Sequence, residues 1–186
     1  MQPLRELPFR GERDYVHGTH LFDRLTELDP QPKNIDYQLH RQIYHQCEVS
    51  SEPDPDRKHD LVTTYKSDGL ALYVYETELP VVERVPCLEK AICAEYEVQD
   101  KMIEFNTPPL PEATFIESIV AAYKMILGSL YPENSKYLFA RLMLKEIPNS
   151  GMIRVRHQRQ MGPNFFQGEL RREDEPLGSI FFGLNQ

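Results

Sequence analysis

One long apolar helix followed by four strand-like segments is the feature that most limits how this chain can fold. Apolar side chains recur at helical spacing from about residue 112 to 130, which predicts a helix roughly 28 Å long. Four segments of strand character follow it: YLFARLMLKEI, MIRVRHQRQM, NFFQGELRRE and LGSIFFGL, separated by the turns PNSG, MGP and DEPLG. Consecutive strands after a single helix predict an α+β fold with an antiparallel sheet, not a doubly wound sheet.

The first half of the chain shows the same order on a smaller scale. Residues 14–28 predict a short strand, a turn at Gly18 and a short helix. Residues 35–49 alternate between apolar and polar side chains with a period of two, which predicts one half-buried strand. Residues 60–79 predict a hairpin that turns at Asp68-Gly69.

Three segments remain less regular. Residues 1–13 are interpreted as a polar lead-in, and residues 81–85 as an edge strand bracketed by prolines. Residues 87–105 are interpreted as a strand followed by a turn and a second strand, because Ile92, Ala94 and other apolar residues alternate there. The expected division of the chain is therefore 1–13, 14–86 and 87–186.

Composition excludes several classes of protein. The net charge of −8 argues against a general nucleic-acid binder. Cys47, Cys87 and Cys93 are odd in number and lack CxxC spacing, which indicates reduced thiols and a cytoplasmic location rather than disulfides or zinc. Cys47 and Cys93 fall on apolar positions of predicted strands and are expected to be inert core thiols. We expect no membrane partner, since no secretion signal and no run of 18 apolar residues occurs.

Two short segments resemble a motif of the hotdog superfamily. In its dehydratase branch the central helix opens with proline-glycine and presents an acid five positions after the glycine. PEATFIESIVAA is similar, with Pro111 in the proline place, Glu112 in place of glycine and Glu117 as the acid. HGTHLFDRL has Gly18 in the glycine place and Asp23 as the acid.

The resemblance implies an antiparallel sheet wrapped around a central helix. Asp23 and Glu117 lie 94 residues apart, about the length of a minimal hotdog unit, so two fused hotdog units are expected. One departure concerns the catalytic histidine that precedes the helix acid in those dehydratases. The corresponding positions here are Ile103 and Phe9, so the usual pair of histidine and acid is not in its ordinary register.

Glu117 is the first candidate for a catalytic residue. A carboxylate desolvated by apolar neighbours can act as a general base near neutral pH or orient a water molecule. The alternative is that Glu117 bonds a backbone N–H in the first helical turn, where a carboxylate is stabilised without any function.

Asp23 and His17 are the other catalytic candidates. His17 precedes the turn at Gly18, and an unusual pairing of His17 with Glu117 could replace the missing histidine. The alternatives are an exposed Asp23 paired with a neighbouring cation and a purely structural His17. His17 and His20 have the spacing of a metal pair, but no third ligand is evident, and no metal is predicted.

A basic run on a predicted strand supplies a candidate binding surface. Arg154, Arg156 and Arg159 concentrate positive charge in an acidic chain. They could bind the phosphates of coenzyme A, or phosphopantetheine and the acidic surface of an acyl carrier protein. The alternative is a solvated sheet face balanced by nearby acids.

The resemblance leaves two functions open. The first is an enzyme that acts on an acyl thioester of coenzyme A or an acyl carrier protein, by hydrolysis or by dehydratase-like proton transfer, with no tightly bound cofactor. The second is a non-catalytic binder of an acyl chain or small apolar ligand. Since hotdog units normally pair, the chain could also form a homodimer.

Overall fold

A computed structural model describes residues 1–4, 6–133 and 136–184 of the chain. The chain divides into two compact units, Met1–Cys87 and Leu88–Gln186. The sequence predicts a boundary after residue 86, and the two units of the structure meet after residue 87. None of the described helices is long and apolar enough to cross a membrane.

The first unit combines one helix with a five-stranded antiparallel sheet. Its elements are β1 (Gln2–Pro3), β2 (Phe9–Arg10), α1 (Gly18–Thr26), β3 (Lys33–Leu39), β4 (His45–Ser50), β5 (Leu61–Ser67), β6 (Leu70–Pro80) and β7 (Arg84–Val85). Neighbouring strands follow the order β1-β4-β6-β5-β3, and β2 pairs separately with β7. Helix α1 packs its apolar face on this sheet: Phe22 contacts Tyr37 edge-to-face, with ring centroids 5.3 Å apart.

The predicted hairpin of the first unit is confirmed. Strands β5 and β6 pair antiparallel, and Gly69 between them has a φ of 83°, which glycine adopts readily. The edge strand predicted for residues 81–85 is shorter than expected, because only Arg84–Val85 forms a strand, parallel to β2.

Two interpretations of the first unit are corrected. Residues 35–49 form two strands, β3 and β4, because the chain turns between residues 40 and 44. Residues 1–13 are not simply a polar lead-in, since β1 pairs with β4 and Leu7 is completely buried. These residues are therefore part of the first unit.

The second unit places one long helix against five antiparallel strands. Its elements are α2 (Glu89–Ala94), β8 (Met102–Asn106), α3 (Phe115–Leu130), β9 (Tyr137–Glu146), β10 (Met152–Met161), β11 (Phe165–Arg172) and β12 (Glu175–Leu184). Neighbouring strands follow the order β9-β12-β11-β10-β8. The order along the chain is thus strand, helix and four strands, of which the last three form a meander. The predicted α+β class is confirmed.

The prediction of a strand after Cys87 is wrong, because this segment forms helix α2. Ile92 and Tyr96 are both buried and lie four residues apart, so a helical turn places them on one side. The amine of Lys124 on α3 lies 2.6 Å from the carboxylate of Glu89 and ties the two helices together. Cys93 is therefore a half-buried residue of α2 and not a core residue of a strand.

Candidate functional site

Glu117 lies at the third position of helix α3 and is only 7% exposed. The backbone N–H of Thr114 donates to its Oε2 at 2.9 Å, and the N–H of Glu117 donates to Oγ1 of Thr114 at 3.3 Å. The sequence Thr-x-x-Glu makes this reciprocal capping box, which satisfies N–H groups that the first helical turn leaves unpaired. The alternative considered for Glu117, a bond to a backbone N–H, is thus present, and its catalytic role stays a prediction.

His17 lies at the start of helix α1 in the first unit, and Asp23 lies within that helix. His17 is the residue before the helix, and its Nδ1 lies 2.7 Å from Oγ1 of the buried Thr19. Asp23 is half-buried on the same helix. The roles of His17 and Asp23, and the pairing of His17 with Glu117 in the second unit, stay predictions.

His20 is held neutral on helix α1. Burial, followed by the fields of Arg10 and Arg24, lowers its pKa to about 4. Arg10 lies 3.4 Å from Nδ1 of His20, and because a guanidinium can only donate, this nitrogen is the acceptor and the proton resides on Nε2. His20 therefore has no proton to give as an imidazolium acid near neutral pH.

The three arginines of the basic run have different surroundings. Nε of Arg154 lies 2.5 Å from Oε1 of Glu104, and Asp174 is a second acid 3.8 Å away. Nε of Arg159 donates to a glutamine side chain of β11 at 2.9 Å. Arg156 is exposed and has no ion-pair partner in the part of the chain that the structure describes. Arg154 is therefore paired with an acid, whereas Arg156 lies opposite Glu169 on β11 without an ion-pair contact among the described residues.

A cluster in the second unit was missed from sequence: His157 of β10 lies between two tyrosines. Its Nδ1 lies 3.0 Å from the hydroxyl of Tyr123 on α3, and its Nε2 lies 3.3 Å from the hydroxyl of Tyr131, the residue that ends α3. A neutral imidazole has one donor and one acceptor nitrogen, so one hydroxyl donates to the ring and the other accepts from it. Tyr123 is fully buried, with its ring stacked beside that of His157.

The surroundings keep this cluster uncharged. Burial and then the field of Lys101 lower the pKa of His157, and burial raises the pKa of Tyr123. Strand β10 also carries a bulge here, because His157 faces Gly168 and Arg159 faces Gln167, which leaves Gln158 as the extra residue. Ile153, Val155 and His157 share one parity, and this is the signal that could have placed the ring toward the helix.

The second unit places one strand, a central helix and four antiparallel strands in the order of a hotdog fold. That the first unit is a second hotdog copy stays a prediction.

Comparisons with known proteins give matches of low similarity only. No family model and no curated protein matches the sequence. A protein of Thermobifida fusca YX assigned as a thioesterase II is 15% identical, with a TM-score of 0.49, covering 95% of this chain and 89% of that one. A bifunctional dehydratase-cyclase domain from ambruticin biosynthesis is 10% identical, with a TM-score of 0.49 and coverages of 92% and 83%. A hot dog fold protein from Alicyclobacillus acidocaldarius is 12% identical, with a TM-score of 0.45 and coverages of 93% and 88%.

Proposed function

We propose that this protein acts on acyl thioesters of coenzyme A or an acyl carrier protein, with Glu117 as the reactive carboxylate. The observation that carries the proposal is a buried carboxylate in the first turn of the central helix of a hotdog fold. One of its oxygens accepts the N–H of Thr114, which fixes the orientation of the group. The carboxylate form of the group is the one that accepts a proton.

The chemistry open to such a carboxylate is proton abstraction. It could activate water against the thioester carbonyl, so that the thiol leaves and the free acid forms, which is hydrolysis. It could instead remove the α-proton of a 3-hydroxyacyl thioester, so that the 3-hydroxyl takes a proton from a partner group and leaves as water, which is a dehydratase-like reaction. His17 is proposed as the partner that returns a proton, and Asp23 as the second acid. Both roles need the two units to bring these groups to one substrate.

The replacement of Glu117 by glutamine tests this proposal. Glutamine can still close a capping box, so Glu117→Gln removes proton acceptance and keeps the helix start. We expect turnover of acyl-CoA substrates to fall roughly 10²–10⁴-fold, the usual contribution of a general base. The matched control is Glu112→Gln, because Glu112 is an exposed acid just before the same helix. Equal turnover by Glu117→Gln and the native chain, over a panel of acyl chain lengths, would remove Glu117 from the mechanism.

A non-catalytic binder of an acyl chain or small apolar ligand is the second candidate. The missing catalytic histidine favours this function. The position where the dehydratase histidine is expected holds Ile103, a buried residue of β8 whose side chain cannot transfer a proton. Native mass spectrometry of the purified protein distinguishes the two functions. A bound fatty or aromatic molecule, with no turnover of any acyl-CoA, supports binding alone. Release of free thiol from acyl-CoA, or loss of water from a 3-hydroxyacyl-CoA, supports the enzyme.

We propose that the coenzyme A or acyl carrier protein part of the substrate binds to the basic run of Arg154, Arg156 and Arg159. Arg156 is the best placed of the three arginines, because Arg154 already faces two acids and Arg159 bonds to a glutamine. Substitution of Arg156 by glutamine should raise KM for acyl-CoA more than it lowers kcat, since a phosphate contact remote from the carbonyl contributes to binding in both ground and transition states. The proposed homodimer is tested by sedimentation equilibrium.

A further inference from the structure

A pocket of about 410 Å³ opens in the second unit beside the cluster of His157 and the two tyrosines. It lies where the turn before β8, the end of helix α3 and the bulge of β10 meet. Its lining residues are Lys101, Leu130, Tyr131, Arg156, His157 and Gln158. Its volume falls within the range of about 300–1,000 Å³ that is typical of small-molecule sites.

The charge of this pocket differs from that of the chain. The sequence has 29 acidic and 21 basic residues, yet the described lining contains two cations and no acid. Neither Lys101 nor Arg156 forms an ion pair among residues 1–4, 6–133 and 136–184. The side chains of Tyr131 and Gln158 add hydrogen-bond donors. A group rich in acceptors and negative charge is therefore the ligand that complements the lining.

The backbone holds the main cation of the pocket in place. Lys101 lies in a tight turn, with a φ of 65°, and Asp100 before it has a φ of 47°. The carbonyl of Lys101 accepts the N–H of His157 at 2.9 Å. This bond keeps the lysine beside the imidazole on the neighbouring strand.

The inner wall is also fixed before any ligand arrives. The imidazole of His157 is bonded on both nitrogens, and the ring of Tyr131 packs on Phe166 with centroids 5.0 Å apart. A wall with few free rotamers loses little conformational entropy when it binds a ligand.

We propose that this pocket binds a phosphate group, with Lys101 as the principal cation, Tyr131 as a hydrogen-bond donor and Arg156 at the rim. In this arrangement Tyr123 donates to Nδ1 of His157 and Tyr131 accepts from Nε2, which leaves the O–H of Tyr131 for the phosphate. The phosphate is either free or the end of a larger ligand such as coenzyme A. The inference goes beyond the proposed function, because the pocket can take a free phosphate whether or not the chain acts on thioesters.

The imidazole of His157 reports on occupancy. The titratable groups that face it are Tyr123, Tyr131 and Lys101, from the helix and from the turn before β8. Its pKa is lowered by burial and by Lys101, so an anion bound at the lysine offsets part of this effect and raises the pKa of His157. The carbon-bound ring protons of His157, followed by NMR against pH, measure this change.

The experiment titrates the full chain with three probes: inorganic phosphate, coenzyme A and pantetheine, which lacks phosphate. We expect the pKa of His157 to rise with inorganic phosphate, with coenzyme A or with both, and not with pantetheine. A response to inorganic phosphate alone identifies a free anion as the ligand. A response to coenzyme A alone identifies the phosphate end of a larger molecule.

Single substitutions supply the controls. Lys101→Gln and Arg156→Gln should each weaken binding of the responding probe about tenfold, the usual effect of losing one charge-assisted contact. Lys66→Gln is the matched control, because Lys66 is an exposed lysine of β5 outside the pocket, and this variant should bind as the native chain does. The proposal is overturned if neither phosphate probe changes the pKa of His157, if pantetheine changes it equally, or if Lys101→Gln binds with native affinity. Because none of these readouts requires thioester turnover, they are independent of the test on Glu117.

Discussion

Substitution of Gly168 by alanine should be one of the most damaging single-methyl changes in the second unit. A Cβ at this position would lie 2.7 Å from Cε2 of Tyr123 and 2.9 Å from two further ring atoms. The ring would have to retreat by about 0.8 Å to reach a normal contact of about 3.5 Å. Tyr123 is fully buried and packs edge-to-face on Phe182 with centroids 5.5 Å apart, so little room is available.

The cost follows from two effects on the same ring. Inserting a methyl group into a packed core costs roughly 1–3 kcal/mol. A displaced ring also loses its hydrogen bond to His157, and a buried hydroxyl without a partner costs roughly 1–3 kcal/mol more. We therefore expect Gly168→Ala to lower the free energy of unfolding by about 2–6 kcal/mol, measured by urea denaturation followed by circular dichroism.

Two comparisons make this expectation refutable. Gly128→Ala is the control, because Gly128 lies in α3 with nothing within 4 Å of its added Cβ, and it should stabilise the chain by about 0.5–1 kcal/mol. Tyr123→Phe removes the hydroxyl alone and should show the hydrogen-bond part of the loss. If Gly168→Ala unfolded within about 0.5 kcal/mol of the native chain, the close approach of ring and strand would be refuted.

Three further predictions concern the helix starts, a thiol and a histidine. Thr114→Ala should lower the free energy of unfolding by about 1 kcal/mol while Thr114→Ser should not; equal losses would contradict the capping box. Burial, assisted by Glu76, raises the pKa of Cys47 to about 12, so iodoacetamide at pH 8 should alkylate it only in denaturant, as peptide mass spectrometry can show. Because the folded pKa of His20 is lowered to about 4 from an ordinary 6.5, stability should fall as pH drops through this window. The unfolding midpoint of the His20→Asn variant should fall less than that of the native chain as the pH drops through the same window. An equal fall in the two proteins would contradict this reasoning.

The turn at residues 40–44 shows why one strand was predicted where two exist. Its sequence, HRQIY, contains no glycine, proline or other turn residue, and its apolar residues keep the parity of the strands on either side. The turn is held instead by a distant carboxylate: Glu76 accepts the N–H groups of Tyr44 at 2.5 Å and His45 at 2.8 Å, and pairs with Arg41. A turn stabilised by a residue more than thirty positions away leaves no local pattern.

Helix α2 was mistaken for a strand for a different reason. Ile92, the buried residue of α2, and Tyr96, which is buried just after the helix ends, are four positions apart. A spacing of four satisfies both the alternation of a strand and one turn of a helix. The ion pair between Glu89 and Lys124 distinguishes a helix from a strand here, because it requires a helix beside α3. By contrast, α3 and the four strands after it could be predicted, because each carries a long periodic pattern and a turn signal at both ends.

Some candidate functional residues are likewise positioned by neighbours in the sequence, and others by contacts between distant segments. The capping box of Glu117 is local, since Thr114 is three residues away, and the sequence therefore placed this carboxylate in the first turn of the helix. The cluster around His157 depends on three elements at once: the end of α3, the bulge of β10 and the bare backbone of Gly168 on β11. The glycine gives the ring of Tyr123 its space, and the ring then reaches the imidazole. A histidine in a run of arginines is easily interpreted as part of a solvated basic face. The parity shared with Ile153 and Val155 indicates the side that faces the helix, but only the pairing of β10 with β11 shows that His157 lies opposite Gly168.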